Sequence, residues 1–256
     1  MNKKKMMILF SATTALTLAA CGGNNSSSSS TSTEAGTAKT KYASEVTHEG
    51  TPIKGGTLKY AIVSSSPFSG IFADELSQIT TDSTIGGLID ESMFEYDENR
   101  KLTNTGLASI EFDVENKTAT VTLNSKEYKW SDGQPVTIDD YIFAYQAIGN
   151  KDYTGVRYDG DFKNVVGMEE YHNGKADSVS GLEKVDDYTV KIHFKEMSPS
   201  MQLAGGSVSA YIMPKHIFKD IPEAEWEQSD YVRGKKFVGL GQFKIDSIVA
   251  GESVTL

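Results

Sequence analysis

The chain has 256 residues, of which 38% are hydrophobic and 10% aromatic, and its formal net charge is −10. This composition supplies enough apolar surface for one large domain or two smaller ones, and the acidic balance argues against nucleic acid as a partner because phosphate binding needs clustered Lys and Arg. Cys21 is the single cysteine, which excludes a disulfide framework and a cysteine-based metal site.

The first twenty residues have the pattern of a signal peptide. Lysines at positions 3–5 precede a short apolar run from Met6 to Leu18, and Ala19 and Ala20 are the small residues of a cleavage site. The run is too short for a comfortable membrane span. These residues contain three lysines and no acid, so the formal charge of the remaining chain is −13. We predict a signal peptide over residues 1–20.

The segment that follows Cys21 is predicted to be a flexible tether. It combines Gly, Asn, Thr and Ala with a run of five serines, Ser26–Ser30, and it offers nothing to bury. Twenty residues of such a coil reach roughly 25 Å by the square-root scaling of chain dimensions. We place the tether over residues 21–54, ahead of the first predicted strand.

That first strand is predicted over Thr57–Val63, where β-branched and aromatic residues predominate. Ser64, Ser65 and Ser66 follow it, before Pro67. Hydroxyls and free backbone groups just past a buried strand end can bind a ligand, because crevices often form there. Val63 and the three serines are therefore candidate ligand-binding residues. The alternative is that the serines and the proline only make a loop.

Three further elements are predicted before residue 124. Apolar residues at helical spacing predict a helix over Asp82–Phe94, although Gly86 and Gly87 weaken the pattern and suggest close packing. Ala108–Val114 and Thr118–Leu123 are predicted to form a hairpin of two short strands.

The local signals are clearest between Trp130 and Gly149. Ser131, Asp132 and Gly133 suit a tight turn, and Thr137 is placed to cap a helix that ends at Gly149. Apolar residues at helical spacing give this helix one face that must be buried. We interpret the stretch as structural, with no chemistry for its aspartates.

The second half of the chain contains shorter predicted elements. Strict alternation over Tyr188–Phe194 predicts a strand with His193 on its solvent face. The other predictions are a helix over Val165–Tyr171, a strand over Gly181–Val185, short helices after Ser198 and Pro214, and a hairpin of Phe243–Val249 with Ser253–Leu256.

No catalytic, metal or cofactor site is predicted. The four histidines lie in unrelated contexts, without the spacing of a metal pair or a nucleophile beside a base. Asp159 and Asp161 lack the further acids of a Ca²⁺ loop. Gly239 and Gly241 do not complete a dinucleotide fingerprint, because Lys244 stands where another glycine is needed.

Several segments together resemble one family, the extracytoplasmic solute-binding lipoproteins of oligopeptide and dipeptide ABC transporters. Leu18–Cys21 looks like the lipobox of bacterial lipoproteins, in which the cysteine becomes lipid-modified and begins the mature chain. The most specific match is the Trp-Ser-Asp-Gly stretch, and the matches follow the family's order from Gly55 onward. The matching segments are Gly55–Leu58, Leu88–Asp97, Trp130–Tyr141, Val185–Val190 and Val238–Phe243.

The resemblance implies an α/β fold of the periplasmic-binding-protein class (type II, peptide-binding). The main sheet of the first lobe would comprise residues 55–71 and 176–256, with an inserted α+β subdomain over 72–175. The chain ends within a predicted strand, so we expect it to be part of a longer protein whose second lobe follows residue 256.

The resemblance also implies a function and a set of partners. The protein would capture oligopeptides outside the cell, as a monomer without cofactors or enzyme activity, and deliver them to an ABC permease. Lipid at Cys21 would hold it on the extracytoplasmic face of the membrane, on a Gram-positive cell surface. Besides Val63–Ser66, the ligand-facing backbone would include Gly239, Leu240, Gly241, Gln242 and Phe243, although Leu240 and Gln242 depart from the family's usual run.

Other functions fit the same residues. A surface hydrolase, an adhesin and a receptor for peptide pheromones are alternatives to transport, and nickel, haem or oligosaccharide are alternative ligands. An ordinary secreted protein is the alternative to lipidation at Cys21.

Overall fold

A computed structural model describes Thr51, residues 54–203 and residues 208–256. The chain divides into two units, Met1–Leu58 and Lys59–Leu256. The predicted signal peptide, Cys21 and nearly all of the predicted tether lie outside the described residues. In the part that is described, no helix combines the length and apolar content needed to cross a membrane.

The second unit combines short helices with two antiparallel sheets. The helices are α1 Thr80–Ile89, α2 Ile138–Gly149, α3 Gly160–Lys163, α4 Met168–His172, α5 Lys215–Phe218 and α6 Asp230–Arg233, with 3₁₀ turns over Pro199–Gln202 and Glu223–Gln228. The strands are β1 Ala108–Asp113, β2 Thr118–Leu123, β3 Leu182–Lys184, β4 Thr189–His193, β5 Ser247–Val249 and β6 Ser253–Thr255.

The larger sheet has the strand order β1-β2-β4-β3, and β5 and β6 form a separate hairpin. The predicted alternation in β4 is confirmed, because Val190 and Ile192 are fully buried while the His193 ring is partly exposed and lies 2.9 Å from Glu183. β1 and β2 precede Lys175 and β3 and β4 follow it, so this sheet crosses the predicted subdomain boundary. The division into a main sheet and an insert remains a prediction.

Helix α2 forms where its local signals predict. Its first turn is fixed by Asp140, whose Oδ2 accepts the backbone N–H of Thr137 at 2.9 Å, as in a capping box. The buried face of α2 contributes to two hydrophobic clusters. Ala144 belongs to the cluster that contains Trp226. The cluster that contains Trp130 includes Ile138, Tyr141, Tyr145 and Ile148.

Two predicted elements require correction. No strand forms over residues 57–63, where the side chains of Tyr60 and Val63 are 78% and 99% exposed. A strand needs a neighbour for its backbone groups, and none pairs with this segment among the described residues. The helix predicted over 82–94 is α1, which ends at Ile89 because the chain then becomes extended and Met93 N–H donates to the carbonyl of Ala210.

Candidate functional site

The second unit contains a cavity of about 530 Å³ beside helix α1. Four separate stretches line it: residues 72–75, the C-terminal part of α1 with residues 90–96, residues 156–162, and residues 208–212. Tyr145 of α2 contributes the back wall. A cavity of this size suits a side chain or a small organic ligand.

The loop before α1 is held by Asp82, which is fully buried. Its Oδ1 accepts the backbone N–H of Ser69 at 2.9 Å and that of Gly70 at 3.1 Å, and its Oδ2 accepts the Ser69 hydroxyl. Hydrogen bonds to a carboxylate are among the stronger ones in proteins. Asp82 therefore fixes the position of the loop that carries Asp74 and Glu75.

Gly86 lets that loop approach α1 closely. A Cβ added to Gly86 would lie 2.7 Å from the carbonyl oxygen of Phe72, whereas one added to Gly87 would meet nothing within 4 Å. The close packing suggested by the sequence is confirmed for Gly86. Both glycines line the cavity, and Gly87 has open space at its Cβ position.

The far wall is held to the same loop by Arg157 and Tyr153. The Arg157 guanidinium donates to the carbonyls of Asp74 (3.0 Å) and Ser77 (3.1 Å) and lies 3.4 Å from the Asp74 carboxylate. The Tyr153 hydroxyl donates to the carbonyl of Glu75. These bonds join segments about eighty residues apart in the chain.

Helix α2 positions the remaining wall through two tyrosines. The Tyr141 hydroxyl donates to the carbonyl of Ser209 at 2.6 Å, and the Tyr145 hydroxyl accepts the Ser209 N–H at 2.9 Å. The backbone N–H and C=O of the buried Ser209 are thereby both satisfied. Ser209 and its neighbours are fixed against the core and face the cavity.

The cavity is strongly acidic. Six carboxylic acids and one cationic side chain line it, together with five aromatic rings. The acids are Asp74, Glu75, Asp90, Glu91, Asp159 and Asp161, the cation is Arg157, and the rings are Phe72, Tyr96, Tyr145, Phe162 and Tyr211.

Burial and mutual repulsion affect two of these acids most. Burial, followed by the nearby Asp90 carboxylate, raises the pKa of Glu75 well above its ordinary value. Burial also raises the pKa of Asp90 to about 7, against the opposing effect of backbone N–H groups from Leu240 and Glu91. Both shifts have the sign expected when the loss of water outweighs stabilisation by nearby cations and hydrogen-bond donors.

The predicted ligand-binding residues after the first predicted strand lie outside this cavity lining. Val63, Ser64, Ser65 and Ser66 are all exposed. The Ser64 hydroxyl accepts a hydrogen bond from Thr81 at 3.0 Å, which places the segment beside the first turn of α1. Their proposed contact with a ligand stays a prediction.

The second predicted group, Gly239 to Phe243, packs on the C-terminal end of α1. Gly241 N–H and Phe243 N–H donate to the carbonyls of Ile89 (3.0 Å) and Leu88 (3.2 Å), and a Cβ at Gly241 would lie 2.4 Å from the Ile89 carbonyl carbon. Leu240 N–H donates to Asp90 Oδ1 at 3.0 Å. Gln242 is exposed. The segment thus touches the cavity only through Asp90, and its role toward a ligand also stays a prediction.

The turn after Trp130 and the first turn of α2 join several elements without lining the cavity. Ser131 N–H donates to the carbonyl of Gly239 at 2.9 Å, Asp132 Oδ2 lies 2.7 Å from His216 Nε2, and the buried Asp140 accepts the Lys215 N–H at 3.0 Å. The turn and the start of α2 therefore connect the Gly239 segment to α5.

The described residues contain no group of three or more His, Cys, Asp or Glu side chains arranged to hold a metal ion. The cavity nevertheless brings together many acids and aromatic rings, which is an arrangement that binds organic cations.

The model of the bacterial extracellular solute-binding proteins, family 5 (middle region), matches residues 104–256, more than half of the chain. The chain belongs to this family.

Relatives of this family 5 protein include oligopeptide-binding proteins. OppA of Lactococcus lactis subsp. lactis is 37% identical over 197 residues, which are 75% of this chain and 32% of the relative. The structure of lactococcal OppA complexed with an endogenous peptide in the closed conformation matches with a TM-score of 0.69 at 35% identity, over 75% of this chain and 36% of that one. The AppA structure from Bacillus subtilis in complex with a nonapeptide matches with a TM-score of 0.58 at 25% identity, over 76% and 34%.

These matches confirm the predicted fold class: the family 5 protein has the α/β fold of periplasmic binding proteins. It spans about a third of the length of the curated relatives it matches.

The acidic cavity of the family 5 protein is not evident from its sequence. Asp90 and Glu91 fall within a segment that resembles the family, and no sequence pattern distinguishes Asp74, Glu75 or Arg157. Acids scattered among apolar residues carry no signal that they share a site, and the four lining stretches meet only in the folded chain.

Proposed function

We propose that this family 5 protein captures oligopeptides outside the cell and delivers them to an ABC permease. The observation that carries the proposal is the 37% identity to an oligopeptide-binding protein across 75% of the chain. Peptide backbones can be held by main-chain hydrogen bonds while side chains enter tolerant, hydrated pockets, so one protein can serve many sequences. The exposed Val63–Ser66 segment and the partly buried Gly239–Phe243 segment are the proposed ligand-facing backbone.

The test is to recover peptides from the purified protein. The full chain is expressed in bacteria, purified without denaturant and acidified, and the released molecules are identified by mass spectrometry. We expect a mixture of peptides in amounts comparable to the protein, and added peptides should bind to the stripped and refolded chain in isothermal titration calorimetry. An unrelated exported protein purified in parallel is the control. Recovery no greater than from this control, with no binding on titration, would contradict the proposal.

We further propose that lipid at Cys21 anchors the protein to the outer face of the membrane of a Gram-positive cell. Several acyl chains, each contributing roughly 0.8 kcal/mol per buried CH₂, give a lasting anchor, and the serine-rich segment after Cys21 would let the folded part reach its permease. Labelling with radioactive palmitate should be lost in Cys21→Ala. Equal labelling of both proteins would refute lipidation at this residue.

The proposed role involves binding without turnover by a monomer. Peptides incubated with the protein should be recovered intact, as judged by mass spectrometry, and light scattering should give the mass of one chain. Cleaved peptides would favour the surface hydrolase, and a larger mass would exclude the monomer.

A further inference from the structure

We infer that the acidic cavity is a specificity pocket for the Lys or Arg side chain of a bound peptide. This inference rests on the proposed function and adds to it a preferred class of ligand. It is carried by the charges that line the cavity, by a buried carboxyl group with no partner from another residue, and by the aromatic walls.

Three of the acids that line the cavity have no ion-pair partner among the described residues. Arg157 is the cation among the lining residues, and its guanidinium is already bound to Asp74 and to backbone carbonyls. Glu75, Asp90 and Glu91 form no ion pair among the described residues, although the charge of Arg157 acts on Glu75. A cation that enters the cavity therefore gains attraction from several acids at once.

Glu75 is the independent indication of a ligand. It is 5% exposed and lines the cavity. Among the described residues, the group that hydrogen-bonds its carboxyl is its own backbone N–H. An ionised carboxyl group can accept about four hydrogen bonds, so a bond to its own backbone leaves most of this capacity unused, and unused capacity in a buried group costs free energy. A ligand that donates hydrogen bonds would remove this cost.

Asp90 offers a second acceptor in the same cavity. Its Oδ1 accepts two backbone N–H groups, from Glu91 at 2.9 Å and from Leu240 at 3.0 Å. No described residue donates to Oδ2. One oxygen thus fixes the orientation of the side chain, and the other remains free to accept a hydrogen bond from a ligand.

The walls suit an organic cation on an aliphatic stem. Tyr96, Tyr145 and Tyr211 supply ring surface around the acids, and the Tyr211 ring already lies under a cation, with the Arg157 guanidinium carbon 5.4 Å from its centroid. Methylene groups pack on such rings while the charged end meets carboxylates. The volume of about 530 Å³ is far larger than a bare metal ion needs.

The test compares matched peptides on the full chain by isothermal titration calorimetry. Short N-acetylated alanine peptides carry one lysine, moved through each position, and each is paired with the same peptide containing norleucine. Norleucine keeps the aliphatic stem and lacks the ammonium group. N-acetyl-lysine amide and N-acetyl-norleucine amide, measured by NMR titration, examine the pocket without a peptide.

We expect the best lysine peptide to bind at least about tenfold more tightly than its norleucine partner at pH 7.5, a difference of about 1.4 kcal/mol. Glu75→Gln and Asp90→Asn, which keep the side-chain shape, should each reduce this preference to about threefold or less. Glu115→Gln, an exposed acid in the turn between β1 and β2, should leave it unchanged. Thermal unfolding of every variant shows that the fold is retained.

Each result separates this inference from the proposed function. Equal affinity for lysine and norleucine peptides would overturn the inference and leave peptide capture standing. Binding of N-acetyl-lysine amide without any peptide binding would support the pocket and contradict peptide capture. A lysine preference that survives in both Glu75→Gln and Asp90→Asn would place the cation elsewhere. A preference for peptides with a free N-terminus that Glu75→Gln abolishes would show that the cavity takes the terminal amine instead of a side chain.

Discussion

Nε2 of His216 lies 2.7 Å from Oδ2 of Asp132, and this contact joins two segments that are 84 positions apart in the chain. The same aspartate accepts the backbone N–H of Gln134 at 3.0 Å through Oδ1, which closes the turn after Trp130. The pair therefore links the most recognisable turn of the sequence to helix α5.

Asp132→Ala should lower stability more than ligand affinity, because Asp132 holds this link and does not line the cavity. Loss of both contacts is expected to cost about 1–2 kcal/mol of unfolding free energy, which corresponds to a fall of roughly 2–6 °C in Tm. Asp220→Ala, at an acid whose side chain is 82% exposed, is the control. An unchanged Tm with abolished peptide binding would reverse this assignment.

The same contact should weaken in acid. Partial burial alone would raise the pKa of Asp132, but the Gln134 N–H and the His216 ring outweigh burial, and the pKa lies below its ordinary value. A carboxylate with a lowered folded-state pKa stabilises the protein above its unfolded pKa of about 4 and loses that contribution as the pH falls further. The Tm difference between wild type and Asp132→Ala should be full at pH 6 and shrink below about pH 4. A difference that grows in acid would contradict this.

Gly86→Ala should destabilise the protein, because the new methyl group would lie 2.7 Å from the carbonyl oxygen of Phe72. We expect a loss of about 1–3 kcal/mol in the free energy of unfolding. Gly87→Ala is the matched control in the same helix, with open space at its Cβ, and should stabilise by up to about 1 kcal/mol through helix propensity. Urea unfolding curves measure both. Equal effects of the two substitutions would show that Gly86 is not a packing position.

Glu223→Gln should stabilise the protein above neutral pH. Oε2 of Glu223 is buried without a hydrogen-bond partner, and burial raises the pKa of this carboxyl to about 7, against a hydrogen bond from Asn150. A raised folded-state pKa means that stability falls as the pH rises from about 4.5 to about 7.

At pH 8 the substitution should therefore gain roughly 1 kcal/mol, a value reduced for the partial solvent access of the site, and at pH 5 it should gain little. Glu225→Gln, an exposed acid in the same 3₁₀ turn, is the control. A gain of equal size at both pH values would mean that ionisation of Glu223 is not the cause.

Binding of lysine peptides should strengthen with rising pH. The pKa of Asp90 is raised to about 7 and that of Glu75 also lies above its ordinary value, so a cation must compete with protons at low pH. Tyr145 and Tyr211 have pKa values raised to about 12 and stay neutral in this range. The other charged groups that face these acids are Asp74, Glu91, Arg157, Asp159 and Asp161.

Titrations in buffers of different ionisation enthalpy should show protons released on binding between about pH 6 and pH 8. The norleucine peptides are the control and should show neither the release nor the pH dependence. Lysine affinity that is constant from pH 5 to pH 8 would contradict coupling to the cavity acids.

Local sequence signals predicted those elements that depend on neighbouring residues alone. Helix α2 begins beside its capping threonine, β1 and β2 pair as the predicted hairpin, and β4 follows its predicted alternation. Each of these elements depends on residues that are close in the sequence or on one clearly apolar face. The segment 57–63 has the composition of a strand, but no described strand lies beside it, so the strand predicted from composition does not form. Helix α1 ends earlier than predicted because the chain must be extended for Met93 N–H to reach the carbonyl of Ala210. This contact is between residues far apart in the sequence, so local signals do not reveal it.

The cavity lay beyond sequence reasoning for the same physical reason. Asp74, Asp90 and Arg157 are far apart in the sequence, and their proximity arises from long-range contacts such as the hydrogen bond from Arg157 to Ser77. Gly86 could be predicted in part, since a glycine in a helix indicates close packing but does not identify the packing partner. In the structure, that partner is the backbone of Phe72.

The strand order β1-β2-β4-β3 also constrains how the chain can fold while it is synthesised from the N-terminus on the ribosome. β1 and β2 can pair as soon as both have been synthesised. The other edge of β2 stays unpaired until β4 is available, because Thr118 of β2 pairs with His193 of β4. Until then Ala119 and Val121, buried in the finished protein, belong to a two-stranded hairpin that is marginal on its own. Closing the long intervening loop is the entropic cost of completing the sheet. A ribosome stalled before β4 has emerged should therefore carry an unfolded, protease-sensitive chain, and protection should begin only after residue 193 has cleared the exit tunnel.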